Sequence, residues 1–206
     1  MKLLTALAAM LVLSLPAVAD EAKPVDTAPK LAYGQMIKYG DKLVFSPCRD
    51  RSMVFVEDIS DGRTVTRALG EVGLDAGKKL YVELMAVIEG GALKASGLNL
   101  ARTEGRCQQP GGADEAWRAG GNEPSWALAA GGDTVLLKRL GKPDVKAPYA
   151  PFRNEGGASI FEAPAARLTV RLVPGTCRDT MADAVSGWTA TVTVDGQTLK
   201  GCAWQR

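Results

Sequence analysis

The 206-residue chain contains no histidine. That absence removes Ser-His-Asp and Cys-His catalysis, the usual general base near neutral pH, and the commonest zinc and copper ligand. An excess of either charge is also lacking, with 25 Lys and Arg facing 23 Asp and Glu. The cations are spread evenly along the chain, and without a basic stripe there is no electrostatic footprint for nucleic acid. Beyond Pro16 no apolar run approaches the ~20 residues needed to cross a bilayer as a helix. Gly-x-Ser-x-Gly, Ser-x-x-Lys, a phosphate-binding glycine loop, Cys-x-x-Cys and Met-x-x-Met are all missing, so no cofactor and no metal are expected. Asp58-Ile59-Ser60-Asp61-Gly62 has a loose likeness to a calcium loop, but it lacks the third-position ligand and the distal Glu. It reads as a surface turn.

What is present begins with an export signal. Lys2 gives a basic start, Leu3 to Pro16 is almost wholly apolar, and Ala17-Val18-Ala19 is a small-x-small cleavage site before Asp20. Residues 1–19 therefore read as a signal peptide cleaved after Ala19, and the expected location is the periplasm. No cysteine stands at the cleavage point, so no lipid anchor is expected there. Cys48, Cys107, Cys177 and Cys202 then read as disulfides, which persist in such compartments. Local pairing, Cys48–Cys107 and Cys177–Cys202, is preferred because each pair falls within one apolar-rich half. Closing loops of about 60 and about 26 residues contributes about 4 and about 3.5 kcal/mol on the chain-entropy model.

With 23 Gly and 11 Pro, turns are frequent and strands short, which favours a mainly β architecture. Residues 20–30 are polar with Pro24 and Pro29 and read as a flexible leader. Lys42 to Phe45 and Met53 to Val56 are strand-like, and Lys79 to Ile88 is the strongest apolar run of the first half. Gly90-Gly91 turns that run into Ala92 to Leu100. Thr64 to Val72 fits a short helix or a strand. Gln108 to Gly112 is the best boundary, dividing the chain into small β modules at 31–109 and 110–206. In the second, Gly131-Gly132-Asp133 separates two strands, and Lys142 to Asn154 reads as a loop or irregular edge. Leu168, Val170 and Leu172 share one strand face. Trp188, Ala190, Val192 and Val194 share another, opposite Thr189, Thr191 and Thr193. Asp195-Gly196 after them is the strongest hairpin signal in the chain. Such alternation fits antiparallel sheet curled around a core.

Gly121-Asn122-Glu123-Pro124-Ser125-Trp126 resembles the Gly-x-Glu-Pro-x-Trp signature of a bacterial envelope family. Cys177-Arg178-Asp179-Thr180-Met181-Ala182, Trp188-Thr189-Ala190-Thr191-Val192 and Gly201-Cys202-Ala203 resemble its later segments, over about residues 117–206. Ser125 and Ala182 depart from the pattern. Members are exported or lipid-anchored proteins of the Gram-negative envelope, grouped loosely with META-domain and NlpE-type envelope-stress lipoproteins. The resemblance implies a barrel-like second module, an OB-like first module and a role in envelope maintenance or stress response, but no catalytic residues.

Glu123, Trp126, Arg178 and Asp179 are the candidate binding residues. Glu123 and Trp126 could form the lip of a ligand pocket, or fix a hairpin and fill a barrel end. Arg178 and Asp179 could contact a partner, or Asp179 could cap a helical turn reaching Ala184. Trp117, Trp126, Trp188 and Trp204 could bind a sugar or simply pack. The leading expectation is a non-enzymatic periplasmic protein that binds a small ligand or an envelope protein. An inhibitor of lysozyme or another cell-wall hydrolase is the alternative. A hydrolase using two of Glu115, Glu123, Asp179 and Asp183 is the third.

Overall fold

A computed structural model describes residues 28–103, 106–107 and 114–206. The expected signal peptide and most of the leader lie outside these residues, as does the boundary segment at Gln108 to Gly112. The protein is mainly β, as the turn frequency implied. Lys30, placed in the leader by sequence, already begins a strand.

The first half forms a five-stranded barrel from β1 (Lys30–Tyr39), β2 (Lys42–Pro47), β3 (Val54–Asp58), β4 (Leu80–Glu89) and β5 (Ala92–Arg102). β4 joins β1, β1 joins β2 and β2 joins β3, all antiparallel. β4 and β5 form the Gly90-Gly91 hairpin. A short parallel pairing of β3 with β5, Val56 opposite Leu93, closes the ring. Met36, Phe45, Leu80, Val82 and Leu84 fill the interior, each at most 2% exposed. Burying a side chain of this size contributes roughly 1.5–3 kcal/mol.

Thr64 to Val72, which periodicity left open, is the helix α1 (Thr64–Glu71), and it lays Val65, Ala68 and Leu69 on this core. Asp58 specifies where α1 starts. Its carboxylate accepts from the Ser60 backbone N–H at 2.9 Å and from the Thr66 backbone N–H and hydroxyl, both at 2.7 Å. The calcium-like pentapeptide thus uses its first acid to satisfy the orphan donors of a helix end.

Among the described residues nine strands make the second half, in two meanders. One runs through β6 (Glu115–Asn122), β7 (Ser125–Gly131), β8 (Thr134–Arg139) and β9 (Lys142–Pro148). The other runs through β10 (Arg153–Glu155), β11 (Ala158–Ala163), β12 (Leu168–Asp179), β13 (Ala184–Val194) and β14 (Gln197–Gln205). Pairing of β14 with β6 joins them, and every pairing is antiparallel. They curl over one core containing Trp117, Trp126, Leu137, Phe161, Val170, Leu172, Val192 and Leu199.

Asp195-Gly196 is a two-residue turn with φ of 50° and 78°. Both values are positive, the geometry for which Asp-Gly is suited. The expected faces of β13 hold, with Val192 and Val194 fully buried. Trp188, expected to be buried, is only partly so, and packs edge-on against Trp117 at 4.9 Å between ring centres. Within Lys142 to Asn154, expected to be a loop or irregular edge, Lys142–Pro148 is the edge strand β9, whose register with β8 shifts between Leu137 and Arg139. An edge strand tolerates Pro143 and Pro148 because the missing N–H groups need no ladder partner.

Both disulfides form as the local pairing required, Cys48–Cys107 and Cys177–Cys202, with sequence separations of 59 and 25. The two halves share one continuous sheet. β12 shifts register between Pro174 and Cys177, and the start of β13 then pairs with β5, Ala184 to Ser186 opposite Arg102 to Leu100. Gly187 lies at this crossing, where a Cβ would collide with the Leu98 carbonyl. Val185 consequently points into the first core rather than the second.

Candidate functional site

The signature hairpin, the Cys177–Cys202 disulfide and the β5–β13 crossing meet at one cleft. Asn122 and Ser125 are paired at the end of the β6–β7 hairpin, with Glu123 and cis-Pro124 as its turn. Trp126 follows on the inward face of β7, 4% exposed, and donates its indole Nε1–H to the Lys200 carbonyl at 3.1 Å. The ring can lie across β6 and β14 because residue 121 is glycine. A Cβ there would meet the indole nitrogen at 2.5 Å.

Asp179 faces this hairpin from the end of β12. Its Oδ1 accepts from Asn122 Nδ2 at 2.9 Å and from the backbone N–H groups of Met181 and Ala182 at 3.0 Å each. Residues 180–183 form a turn rather than the helical turn expected from sequence, so Asp179 caps a hairpin connection. Arg178 donates to the Asp179 and Ala184 carbonyls at 3.2 and 3.0 Å and to the Asp183 carboxylate. Asp183 also accepts from the Thr103 hydroxyl at 2.9 Å and from Lys78 at 3.4 Å. The hydrogen bond from Arg178, followed by that from Thr103, pushes the Asp183 carboxyl down to about 2.

Two hollows flank the disulfide. An open groove of about 500 Å³ carries Arg178, Thr189, Thr191 and Lys200. A more enclosed cavity of about 250 Å³ reaches toward the first barrel, lined by Leu100, Arg102, Trp126, Val185, Ser186 and Trp204. Gly120, Gly121, Asn122, Cys177, Asp179 and Cys202 border both. Of the four sequence candidates, Asp179 borders both hollows, Arg178 lines the open groove and Trp126 the narrower cavity. Glu123 lies exposed on the turn outside both hollows, and its carboxylate makes no hydrogen bond or ion pair with the described residues.

Sequence did not single out Arg102 and weighed Trp204 only as one of four tryptophans that could bind a sugar or pack, yet both carry a buried N–H that finds no acceptor among the described residues: Arg102 Nε and Trp204 Nε1. Leaving such a donor unpaired costs about 1–3 kcal/mol. Arg102 also places its guanidinium carbon 5.1 Å from the centre of the Tyr81 ring. Tyr81 leads to a second polar group that sequence reasoning missed. Its hydroxyl donates to Glu83 Oε1 at 2.9 Å, and Asn99 Nδ2 donates to Glu83 Oε2 at 2.7 Å. The Asn99 side chain also clamps Gln205, accepting from its N–H at 2.8 Å and donating to its carbonyl at 2.9 Å. Glu83 is fully buried, and burial pushes its carboxyl above the ordinary range against the Tyr81 and Asn99 hydrogen bonds and the charges of Arg206 and Arg102. A signal for it existed, since Glu83 is the single charged residue between Leu80 and Ile88.

Among the described residues no group of three or more acidic or cysteine side chains is arranged to hold a metal, and no helix is long and apolar enough to cross a membrane. Comparison of the chain with protein-family models, with curated proteins and with solved structures finds no match.

Proposed function

We propose that this protein is an exported, non-enzymatic binding protein of the bacterial envelope, whose recognition site is the cleft beside Cys177–Cys202. One observation carries the reading: two hollows adjoin at the Cys177–Cys202 disulfide, with Arg178 lining the open groove, Trp126, Arg102 and Trp204 lining the narrower cavity, and Asp179 bordering both. Concave sites with apolar walls and a few aimed polar groups are the usual form of small-ligand sites. Periplasmic residence rests on the signal-like residues 1–19 and agrees with the two disulfides. The strand order β1-β2-β3-β5-β4, with a helix between β3 and β4, supports an OB-like description of the first barrel.

The acids favour binding over hydrolysis. A glycosidase-type pair needs one carboxyl with a raised pKa. Asp183 is instead depressed, and the Arg118 guanidinium holds Glu115 below the usual carboxylate range. Asp179 is committed to its turn, and Glu123 faces solvent outside the cleft. An inhibitor would need a projecting loop. The described connections include many two-residue turns, such as those after Tyr39, Glu89, Asn122, Gly131, Arg139 and Val194.

The test is native mass spectrometry of the protein purified from an envelope fraction, beside the variant Ala182→Trp. Ala182 is exposed at the rim of the enclosed cavity, so an indole there obstructs entry without touching the core. A small molecule retained by the parent and lost from A182W is the expected result. Equal retention by both moves the site elsewhere.

A further inference from the structure

We propose that Glu83 is a proton-operated clasp: its neutral carboxyl keeps the end of β14 closed against β5, and loss of the proton to water loosens this seam between the two halves. The clasp itself is independent of what the protein binds. Its consequence for the enclosed cavity, control of entry, rests on the binding role proposed above.

The geometry begins with one side chain that links the buried acid of β4 to the second half. Asn99 on β5 uses every polar atom of its amide. Its Nδ2 donates to Glu83 Oε2 at 2.7 Å and to the Gln205 carbonyl at 2.9 Å, while its Oδ1 accepts from the Gln205 N–H at 2.8 Å. Gln205 pairs with Trp117 of β6 on its other side, and β13 pairs no further along β14 than Ala203. At this strand end the Asn99 amide therefore stands where a neighbouring strand would. The titratable groups that face Glu83 among the described residues are Tyr81 on its own strand, Tyr33 opposite it on β1, Arg102 on β5 and Arg206 after β14. Both cations are occupied elsewhere. Arg102 lies 5.1 Å from the centre of the Tyr81 ring, and Arg206 faces Glu115, which Arg118 also holds. Burial consequently outweighs both charges and both hydrogen bonds, and it pushes the Glu83 carboxyl above 4.5. Once ionised, a carboxylate needs water. Its charge strengthens the Asn99 contact, so the contact that yields is Asn99 to Gln205. Leu100, Arg102 and Trp204 line the enclosed cavity beside this seam, and loosening it opens that wall.

Amide hydrogen exchange of the disulfide-intact chain between pH 4.5 and 8 reads the seam at the Gln205 N–H. After correction for the intrinsic pH dependence of exchange, its protection should fall by up to about tenfold per pH unit above 4.5 and level off once Glu83 has titrated in the closed form. Glu83→Gln should hold Gln205 protection constant over the range. Asn99→Ala should leave Gln205 unprotected at every pH while Val192, in the middle of β13, stays protected. Protection of Gln205 that is flat in the parent, or that falls equally in folded E83Q, overturns the clasp. Equal protection at Gln205 and Val192 overturns it too, because the seam then opens only with the whole fold. The ¹³Cδ signal of Glu83 in the parent needs no variant, and a midpoint at or below 4.5 is equally fatal. The Trp204 indole N–H signal should move with the same midpoint as Glu83; a signal that stays still overturns control of the cavity alone. Ligand retention in A182W reads the binding role separately, so the clasp and that role fail independently.

Discussion

Replacing Glu83 tests whether the polar contact between the halves is governed by one buried acid. The carboxyl is wholly buried, with Tyr81 donating to one oxygen and Asn99 to the other. Glu83→Gln keeps the shape and can keep both contacts: the amide oxygen accepts from Asn99, while the amide N–H donates to the Tyr81 hydroxyl oxygen after that hydroxyl rotates. Glu83→Ala keeps neither. It removes the carboxylate that accepts from both the Tyr81 hydroxyl and one Asn99 N–H and opens a void, whereas the other Asn99 N–H still reaches the Gln205 carbonyl. Two lost hydrogen bonds to a buried acceptor, at about 1–3 kcal/mol each, plus a modest cavity give a loss of about 3–6 kcal/mol.

The sign of the pH dependence follows from desolvation. The folded-state pKa of Glu83 lies above the ordinary 4.5. The folded protein therefore holds this proton more tightly than the unfolded chain. The associated stability is fully present below pH 4.5 and is lost as pH rises through the folded value, at about 1.4 kcal/mol per unit of difference. Glu83→Gln does not titrate, so the parent should lose stability relative to the variant as pH rises from 4.5 toward 8. Urea unfolding of the parent and both variants between pH 4 and 8 measures this. Other acids, including Asp183 and Glu115, titrate in parent and variant alike and cancel in the difference. A parent-minus-Gln difference that is flat over this range, or that rises with pH, refutes the reasoning.

Removing Cys177–Cys202 by the double change to Ser should cost about 3.5 kcal/mol by loop entropy, read from urea midpoints under non-reducing conditions; an unchanged midpoint would mean that the bridge does not restrain the unfolded chain. Asp183 behaves oppositely to Glu83: its carboxyl is depressed to about 2, so its stabilising effect is present above 3.8 and is lost as pH falls toward 2. Asp183→Asn should therefore flatten the acid limb of the stability curve, and an identical acid limb counts against the Arg178 contact. Gly196 sits at φ 78°, a conformation that a side chain strains, so Gly196→Ala should lower stability by about 1 kcal/mol in thermal unfolding.

The hairpins were legible because their signals are local. Asp195-Gly196, Gly90-Gly91 and Gly132-Asp133 each need positive φ at the turn, and the flanking alternation fixes which face turns inward. Closure of the first barrel was not legible. The parallel pair joining Val56 to Leu93 spans a helix and a strand, and no turn residue announces it. β1 was hidden for another reason: Lys30 to Tyr39 follows Pro29, and only Met36 and Gly34 of its ten residues are buried. α1 was ambiguous because eight residues supply barely two turns of periodicity. What selects the helix there is the Asp58 cap, which acts from outside the segment.

The candidate site divides along the same line. Trp126, Arg178 and Asp179 stand near a cysteine or in a dense motif, so their side-chain chemistry could be marked in advance. Glu123 shared the motif but not the cleft, because the two-residue turn it forms with Pro124 faces solvent while Trp126, further along β7, reaches inward. Arg102 and Trp204 end different strands and meet only through the β5–β13 crossing and the pairing of β14 with β6. Neither neighbourhood in the sequence shows that they share a cavity. Glu83 is the instructive case between these extremes. A charged residue within an otherwise apolar strand must find hydrogen-bond partners or lose its charge, since burial alone costs several kcal/mol. The sequence therefore implied a polar contact on the outer face of β4, although it could not say that Asn99 and the Gln205 backbone would make it. That contact is also what covers the face, because the Asn99 amide pins the end of β14 against β5. The same strand end carries Trp204 into the cavity beside Arg102, so the buried acid and the candidate site share one support.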